Sequence, residues 1–308
     1  MDLPQPDPAA TSLPEPPSHG DLRRLWTPWR MRYVGGGAKE TGCIFCNRLA
    51  AADDVRSLIV YRGVRCFVIL NLFPYNTGHL MVVPNDHVAG PEQANAVALE
   101  EMARLLPPTL TAVRLALRCD GFNIGMNIGS VAGAGVADHL HQHVVPRWEG
   151  DANFMPILAS TMVLPELLLV TYAKVRADLQ VHLGEVAEVP LVVFDEGGRS
   201  TLTREDDGVT RLPRIAATGP GPIWVRSLDA ASELAGRPVE LAGWAGSVMA
   251  DPRGVIALAF RTFGSSATGR PGDGEWSDTS ALLAGQLADG DIATLQTAIA
   301  GNESEPPA

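Results

Sequence analysis

The chain has 308 residues, 46% of them hydrophobic and 19% charged, which is ample apolar material for two folded cores and excludes wholesale disorder. Lys+Arg total 24 against Asp+Glu 35, a net charge of -11, which argues against bulk binding of nucleic acid or of anionic membranes but leaves room for a local phosphate pocket. The four cysteines, Cys43, Cys46, Cys66 and Cys119, are too few for a disulfide scaffold.

Residues 1–21 are Pro-rich and acidic and are expected to form a disordered tail, with neither the basic nor the apolar region of a secretory signal. The most apolar stretch, Met155 to Ala173, is interrupted by Pro156, Pro165 and Glu166. It falls short of the ~20 uninterrupted residues a bilayer requires, so no membrane association and a cytoplasmic location are expected. Residues 22–184 read as one α+β unit, an antiparallel sheet with helices. Strands are expected at 57–63, 66–71 and 79–84, the last after the turn-rich Phe73-Pro74-Tyr75-Asn76-Thr77-Gly78. Residues 91–118 have a helical composition, with Pro107-Pro108 expected to break or kink the run. A strand at 122–127, a Gly/Ala loop from Gly129 to Gly135, a strand at 139–146 and a closing helix at 165–182 follow. The texture then changes: residues 1–184 carry 17 acidic and 15 basic residues, net −2, whereas residues 185–308 carry 18 and 9, net −9. A second, smaller α/β domain is expected over 185–300, with strands at 189–194, 201–203, 239–247 and 255–263, and residues 301–308 as a loose tail.

The most informative segment is His139-Leu140-His141-Gln142-His143. On a strand, alternate side chains share a face, so all three imidazoles point the same way. They are costly to bury without partners. A satisfied polar strand face and a non-catalytic His-rich metal site are the competing explanations. Catalysis is favoured by the preceding segment, where Asn127, Gly129, Ser130, Gly133 and Gly135 could curl backbone N–H groups around an anion.

His139 to Val145 resembles the signature of the histidine triad (HIT) superfamily, His-φ-His-φ-His-φ-φ with φ hydrophobic, Gln142 replacing one φ. Asn71 to Pro84 resembles the family's nucleotide-binding hairpin. With Trp26-Thr27-Pro28-Trp29-Arg30, Gly121-Phe122-Asn123-Ile124-Gly125 and Val145-Pro146-Arg147-Trp148, the set is similar to the diadenosine polyphosphate phosphorylase/hydrolase branch. The resemblance covers residues 22 to about 183. It implies a catalytic triad of His139, His141 and His143, in which His141 attacks the α-phosphorus and carries the nucleotide until a second nucleophile removes it. His143 and backbone donors from Gly133 to Val136 would stabilise phosphoryl charge. Asn127 would donate to phosphate or the leaving group, Asn71 would bind ribose hydroxyls, and Leu70 and Phe73 would pack on the base. With inorganic phosphate as second nucleophile, diadenosine tetraphosphate would give ATP and ADP; with water, ATP and AMP. Several family members carry a Ser or Thr hydroxyl where this chain has Gly135, which leaves phosphate against water open. The resemblance also implies a homodimer. An adenylyltransferase and a non-catalytic nucleotide sensor are the alternatives.

Cys43-Ile44-Phe45-Cys46 can supply two thiolates to one tetrahedral zinc, which then needs two further ligands. In related zinc-containing members the pair joins a histidine after the second hairpin strand and the first triad histidine, here His87 and His139. The resemblance thus implies a structural zinc that pins the N-terminal segment against the catalytic strand. A redox pair and simple buried thiols are the other readings. Cys66 and Cys119 are expected in the core, His79 in a structural role and His182 at the surface.

Residues 189–296 faintly resemble a Nudix hydrolase. Leu212-Pro213 stands where that family reads Leu-Pro-Gly-Gly, and the spacing of its box lands on Gly236. Between them, Ile215 replaces the first Gly, Gly221 the Glu, and Asp229-Ala230-Ala231-Ser232-Glu233-Leu234 the Arg-Glu-φ-x-Glu-Glu run. Only Glu233 remains of the Mg²⁺-holding carboxylates, and one carboxylate cannot assemble that cluster. The expectation is a Nudix-like fold without Nudix chemistry. Gly236 to Trp244 also looks slightly like an OB-fold barrel strand.

Overall fold

The computed structural model describes residues 41–51, 53–133, 135–151, 166–184, 186–245, 257–262 and 275–303. The expected tail 1–21, the Trp26 to Arg30 motif and the outer ends of the 239–247 and 255–263 strands lie outside them. Residues 39–151 and 164–308 group into one contact unit, to which all the elements below belong.

Two short helices, α1 (Ile44–Ala50) and α2 (Asp54–Ser57), lead into the first sheet. Asp53 caps α2, its carboxylate accepting from the N–H groups of Val55 and Arg56. Strands β1 (Ile59–Arg62), β2 (Cys66–Leu70), β3 (Leu80–Pro84), β4 (Gly121–Met126) and β5 (Gln142–Arg147) pair in the order β1-β2-β3-β5-β4. Every pairing is antiparallel. β2 and β3 are buried along their whole length, which is why they read as unbroken apolar runs and not as alternating ones. β4 is an edge strand and is mostly exposed.

The helix α3 (Ala96–Leu117) runs through Pro107 and Pro108 without ending, against the expected break. Neither proline can donate to the carbonyl four residues back. Tertiary burial outweighs that loss: Ala98, Met102, Leu105, Thr109, Ala112, Val113 and Ala116 recur at helical spacing and are all buried. The hydroxyls of Thr109 and Thr111 donate to the carbonyls of Leu105 (2.8 Å) and Pro107 (3.1 Å). Glu101, on the same helix, accepts from the N–H groups of Val64 (2.9 Å) and Arg65 (2.5 Å) and so ties α3 to the β1–β2 turn.

α4 (Leu168–His182) is buried on nearly its full circumference from Thr171 to Gln180. On one side Tyr172 Oη and Arg176 Nη1 donate to the carbonyl of Ile59, at 2.7 and 2.9 Å. On the other it packs against α5 (Ile223–Ala235) and β10 (Val239–Ala245). The second sheet runs β10-β11-β6-β7-β12, with β11 (Ala257–Thr262), β6 (Glu188–Phe194), β7 (Ser200–Asp206) and β12 (Glu275–Asp278). β6 and β11 are parallel. β6 is buried on both faces: Leu191 and Val193 join the core with α4 and α5, while Val192 and Phe194 pack in a second cluster with Leu287, Leu295 and Ala298 near the C-terminus. Sequence reading missed β8 (Val209–Arg211), β9 (Arg214–Ala216), β12, α5, α6 (Thr279–Ala281) and α7 (Asp289–Glu303). The β7–β8 connection had a readable signal, Asp207-Gly208, both with positive φ as a two-residue type I′ hairpin requires.

At the α4–α5 joint the buried Asp178 accepts from Ile223 N–H at 2.9 Å. Burial outweighs that bond and the nearby His182 and Arg226, and pushes its carboxyl up to about 6. A raised folded pKa means the native state binds more protons than the unfolded chain between about pH 4 and 6. Stability is therefore expected to fall as pH rises through that window, by up to about 3 kcal/mol. Asp178→Asn, which keeps an acceptor for Ile223, is expected to flatten the curve; urea unfolding at pH 4.5 and 7.5 checks it. An unchanged slope in the variant would assign the pH dependence elsewhere.

Candidate active site and metal centre

The three triad histidines do not share one strand as expected. β5 begins at Gln142, so only His143 lies in the ladder, opposite Met81 on β3 and Gly125 on β4. The preceding segment leaves the sheet because Leu140 N–H donates to Val88 O at 2.6 Å. Its histidines consequently serve different neighbours.

His139 is buried. Its Nε2–H donates to Pro84 O at 2.9 Å, which leaves the Nδ1 lone pair facing Cys43 Sγ at 3.3 Å and Cys46 Sγ at 3.6 Å. His87 Nδ1 lies 3.4 Å from Cys46 Sγ. The four donor atoms all lie within 4.8 Å of one another. Tetrahedral zinc with Zn–S and Zn–N bonds of usual length sets ligand–ligand edges of about 3.5 Å, so this donor set fits such an ion. Burial and the adjoining Cys43 push the Cys46 thiol up, and a bound cation would favour its ionised form. Phe45, between the two cysteines, is buried with its ring 5.3 Å from that of His139 and 5.1 Å from that of His141.

His141 is 5% exposed, and its Nδ1–H donates to the carbonyl of His139 at 2.8 Å. That bond places the remaining lone pair on Nε2. Burial holds the ring below the usual histidine pKa, so it is neutral at pH 7 and available as a nucleophile. His143 stands next to it, ring centroids 4.8 Å apart and nearly perpendicular.

A fourth histidine completes the group. His79 is fully buried at the start of β3 and contacts His143 through Nε2···Nδ1 at 2.9 Å. Its own Nδ1 accepts from Tyr75 N–H at 3.1 Å, and the Asn71 amide nitrogen lies 3.3 Å away. Burial, with His143 and His141 nearby, pushes its pKa down to about 3. The Tyr75 ring covers both His79 and His143, at 4.6 and 5.9 Å between centroids. Reading the sequence missed Phe45 and Tyr75 and gave His79 only a structural role. For His79 the available signal was a histidine directly after the turn glycine Gly78 and directly before a fully buried apolar strand, where an unpartnered imidazole would be costly.

The structure brings Asn71 to this group through His79, while residues 129–133 and Gly135 are exposed. Asn71 Oδ1 accepts from Phe73 N–H at 2.9 Å, leaving the Phe73 ring 54% exposed, as a stacking platform would be. Asn127 is half-buried in the turn after β4. Gly133, with φ 81°, closes a 3₁₀ turn by donating its N–H to Ser130 O at 3.1 Å, and Gly135 is exposed. The hairpin turn is anchored at its far side: Asn76 donates to Pro146 O (3.1 Å) and Asp151 Oδ2 (2.7 Å). Arg147 binds both oxygens of Asp151 at 2.6 Å and holds that carboxyl well below the usual range.

The domain model described as the HIT domain matches residues 53–150. The chain belongs to the HIT family. Over 154 residues it is 38% identical to a Mycobacterium tuberculosis protein named AP-4-A phosphorylase, a match covering 48% of this chain and 79% of that one. It is 35% identical over 113 residues to an uncharacterised HIT-like protein of Saccharolobus solfataricus, covering 37% and 79%. Among solved structures, a zinc-bound histidine triad family protein of Mycobacterium smegmatis is 26% identical, with a TM-score of 0.37 over 45% of this chain and 93% of that one. No helix among the described residues is long and apolar enough to cross a membrane.

Proposed function

We propose that this chain is a dinucleoside polyphosphate phosphorylase, an enzyme that converts diadenosine tetraphosphate and inorganic phosphate to ATP and ADP. The observation that carries this reading is His141, whose Nδ1 proton is held by the His139 carbonyl so that Nε2 offers a lone pair. In the first step the Nε2–Pα bond forms and the bridging P–O bond breaks, releasing ATP as an oxyanion. In the second, a phosphate oxygen attacks the adenylyl-imidazole and restores His141. His143 donates to the non-bridging oxygens, Asn71 binds ribose hydroxyls, Phe73 packs on the base, and Asn127 with the Gly133 to Gly135 loop binds the polyphosphate. His139 acts through its carbonyl. The identity with the Mycobacterium tuberculosis protein supports the choice of reaction.

The second reading is a hydrolase, favoured by the bare, exposed Gly135 where a hydroxyl could have held the incoming phosphate. Product analysis separates them. With diadenosine tetraphosphate and saturating phosphate, ADP is expected beside ATP; AMP at saturating phosphate contradicts the phosphorylase.

Zinc is held by Cys43, Cys46, His87 and His139 in a structural role, anchoring α1 beside the nucleophile. The division of labour falls near residue 184, with nucleotide transfer in 22–184 and an accessory Nudix-like half in 185–300. That half's ancestry rests on α5, which follows Leu212-Pro213 and ends at Gly236, φ 64°, in the left-handed cap. Its exposed Glu233 stands alone at the box positions that hold Mg²⁺ by carboxylate, too few ligands for that ion's chemistry. We infer a homodimer from the family resemblance.

A further inference from the structure

We propose that Cys43 and Cys46 form an oxidation-sensitive latch: a peroxide closes them into a disulfide, zinc leaves the site, and nucleotidyl transfer at His141 slows. The proposal rests on the zinc and transfer readings above and adds a means of regulating them.

The pair is placed for such closure. Cys43 is the N-cap of α1 and Cys46 the third residue of that helix. Residues so spaced at a helix start have Cα atoms about 5 Å apart, inside the span that a disulfide bridges. Both sulfurs already face one atom, His139 Nδ1, at 3.3 and 3.6 Å. Neither cysteine is sealed off: both are half-buried, and His87, the donor beside Cys46, is exposed. An oxidant therefore reaches the metal centre from solvent. The other two thiols differ on each count. Cys66 and Cys119 are buried, and burial pushes both thiols up, Cys66 to about 12, so that little thiolate exists at pH 7. Cys66 instead donates to Ala98 O at 3.3 Å.

Thiolates, not thiols, are oxidised, and ligation to zinc keeps both sulfurs ionised. One thiolate attacks hydrogen peroxide, the O–O bond breaks, and a sulfenic acid and hydroxide result. The second thiolate attacks that sulfur; the S–S bond forms and the S–O bond breaks with release of a second hydroxide. Two protons from solvent turn both hydroxides into water, and two electrons have passed from the sulfurs to the O–O bond. The neutral disulfide is no longer a ligand, so only His87 and His139 remain of the four donors. Two contacts carry the change to the nucleophile. His139 faces the sulfurs through Nδ1, while its carbonyl holds the His141 proton at 2.8 Å. Phe45, between the two cysteines, has its ring 5.1 Å from that of His141, so closing the disulfide around it disturbs a neighbour of the nucleophile.

The test treats the zinc-loaded full chain with hydrogen peroxide. Expected are release of about one zinc ion per chain to a chromogenic chelator, loss of two hydrogens from the peptide holding Cys43 and Cys46 with Cys66 and Cys119 unchanged, and a kcat roughly tenfold lower at little-changed KM. A dithiol reductant followed by zinc should restore all three. Retention of zinc at peroxide concentrations that oxidise free cysteine, or oxygen added to one sulfur in place of the disulfide, overturns the proposal. So does a disulfide-bonded, zinc-free enzyme with unchanged kcat. The side-chain ¹H–¹⁵N NMR signals of His141 report the coupling without substrate: they should shift on oxidation and return on reduction, and unmoved signals overturn it. If the reduced enzyme cleaves no dinucleoside polyphosphate, the transfer reading fails, while zinc release, the disulfide and the His141 signals still decide the latch.

Discussion

His141→Ala is expected to lower kcat for dinucleoside polyphosphate cleavage by roughly 10⁴–10⁶-fold, the scale seen when a covalent nucleophile is removed. The loss is expected on kcat and not on binding, because the residues proposed for base and sugar, Phe73 and Asn71, sit on the β2–β3 hairpin and are bonded to each other and to His79. His143→Ala should cost less, roughly 10²–10³-fold, since it removes one donor to the phosphoryl oxygens and leaves the nucleophile in place. Steady-state kinetics with nucleotide affinity measured in parallel checks both. A His141→Ala enzyme within tenfold of the wild type would mean that no bond to this ring is made during turnover.

Cys43→Ala is expected to reduce bound zinc from about one ion per chain to a small fraction and to lower Tm by roughly 5–8 °C, the shift that a loss of about 3–5 kcal/mol gives a chain of this size. Metal analysis and thermal unfolding read these without reference to activity. The catalytic effect should be smaller, about tenfold, and should appear in kcat. It has two routes on the structure. His139 carries the metal-facing Nδ1 and also the carbonyl that holds the His141 proton. Phe45, set between the cysteines, packs on the His141 ring. Unchanged zinc content and Tm in the variant would remove the metal centre from the account.

The continuously buried β2, β3 and α4 were legible in the sequence, and the exposed edge strand β4 also falls within a few residues of expectation. The convergence of Cys43, Cys46, His87 and His139 into a group that could hold a metal ion was legible too, although Cys43 and His139 are 96 residues apart. Two kinds of error have physical causes. α3 survives two prolines because its buried stripe outweighs two lost hydrogen bonds, a tertiary effect that local rules do not contain. The triad leaves the strand early because Leu140 bonds to Val88 and not to a β3 partner, a contact across 52 residues. His79 is the instructive case at the site. Its neighbours in sequence supply the turn, but its partner His143 lies 64 residues away, so nothing local announces that the two rings meet. In the second half, strands of three residues carry too little apolar periodicity for residue patterns to separate them from loops, whereas α5 carried a readable signal, with Ile223, Ala231 and Ala235 buried at helical spacing.

The most direct test is to quench the wild-type enzyme with diadenosine tetraphosphate in the absence of phosphate and examine intact protein and peptides by mass spectrometry. The account predicts one added adenylyl group, acid-labile as a phosphoramidate, on the peptide containing His141 and lost on adding phosphate with formation of ADP. A nucleotide mapped to any other residue, or turnover with no covalent adduct at any quench time, would contradict it.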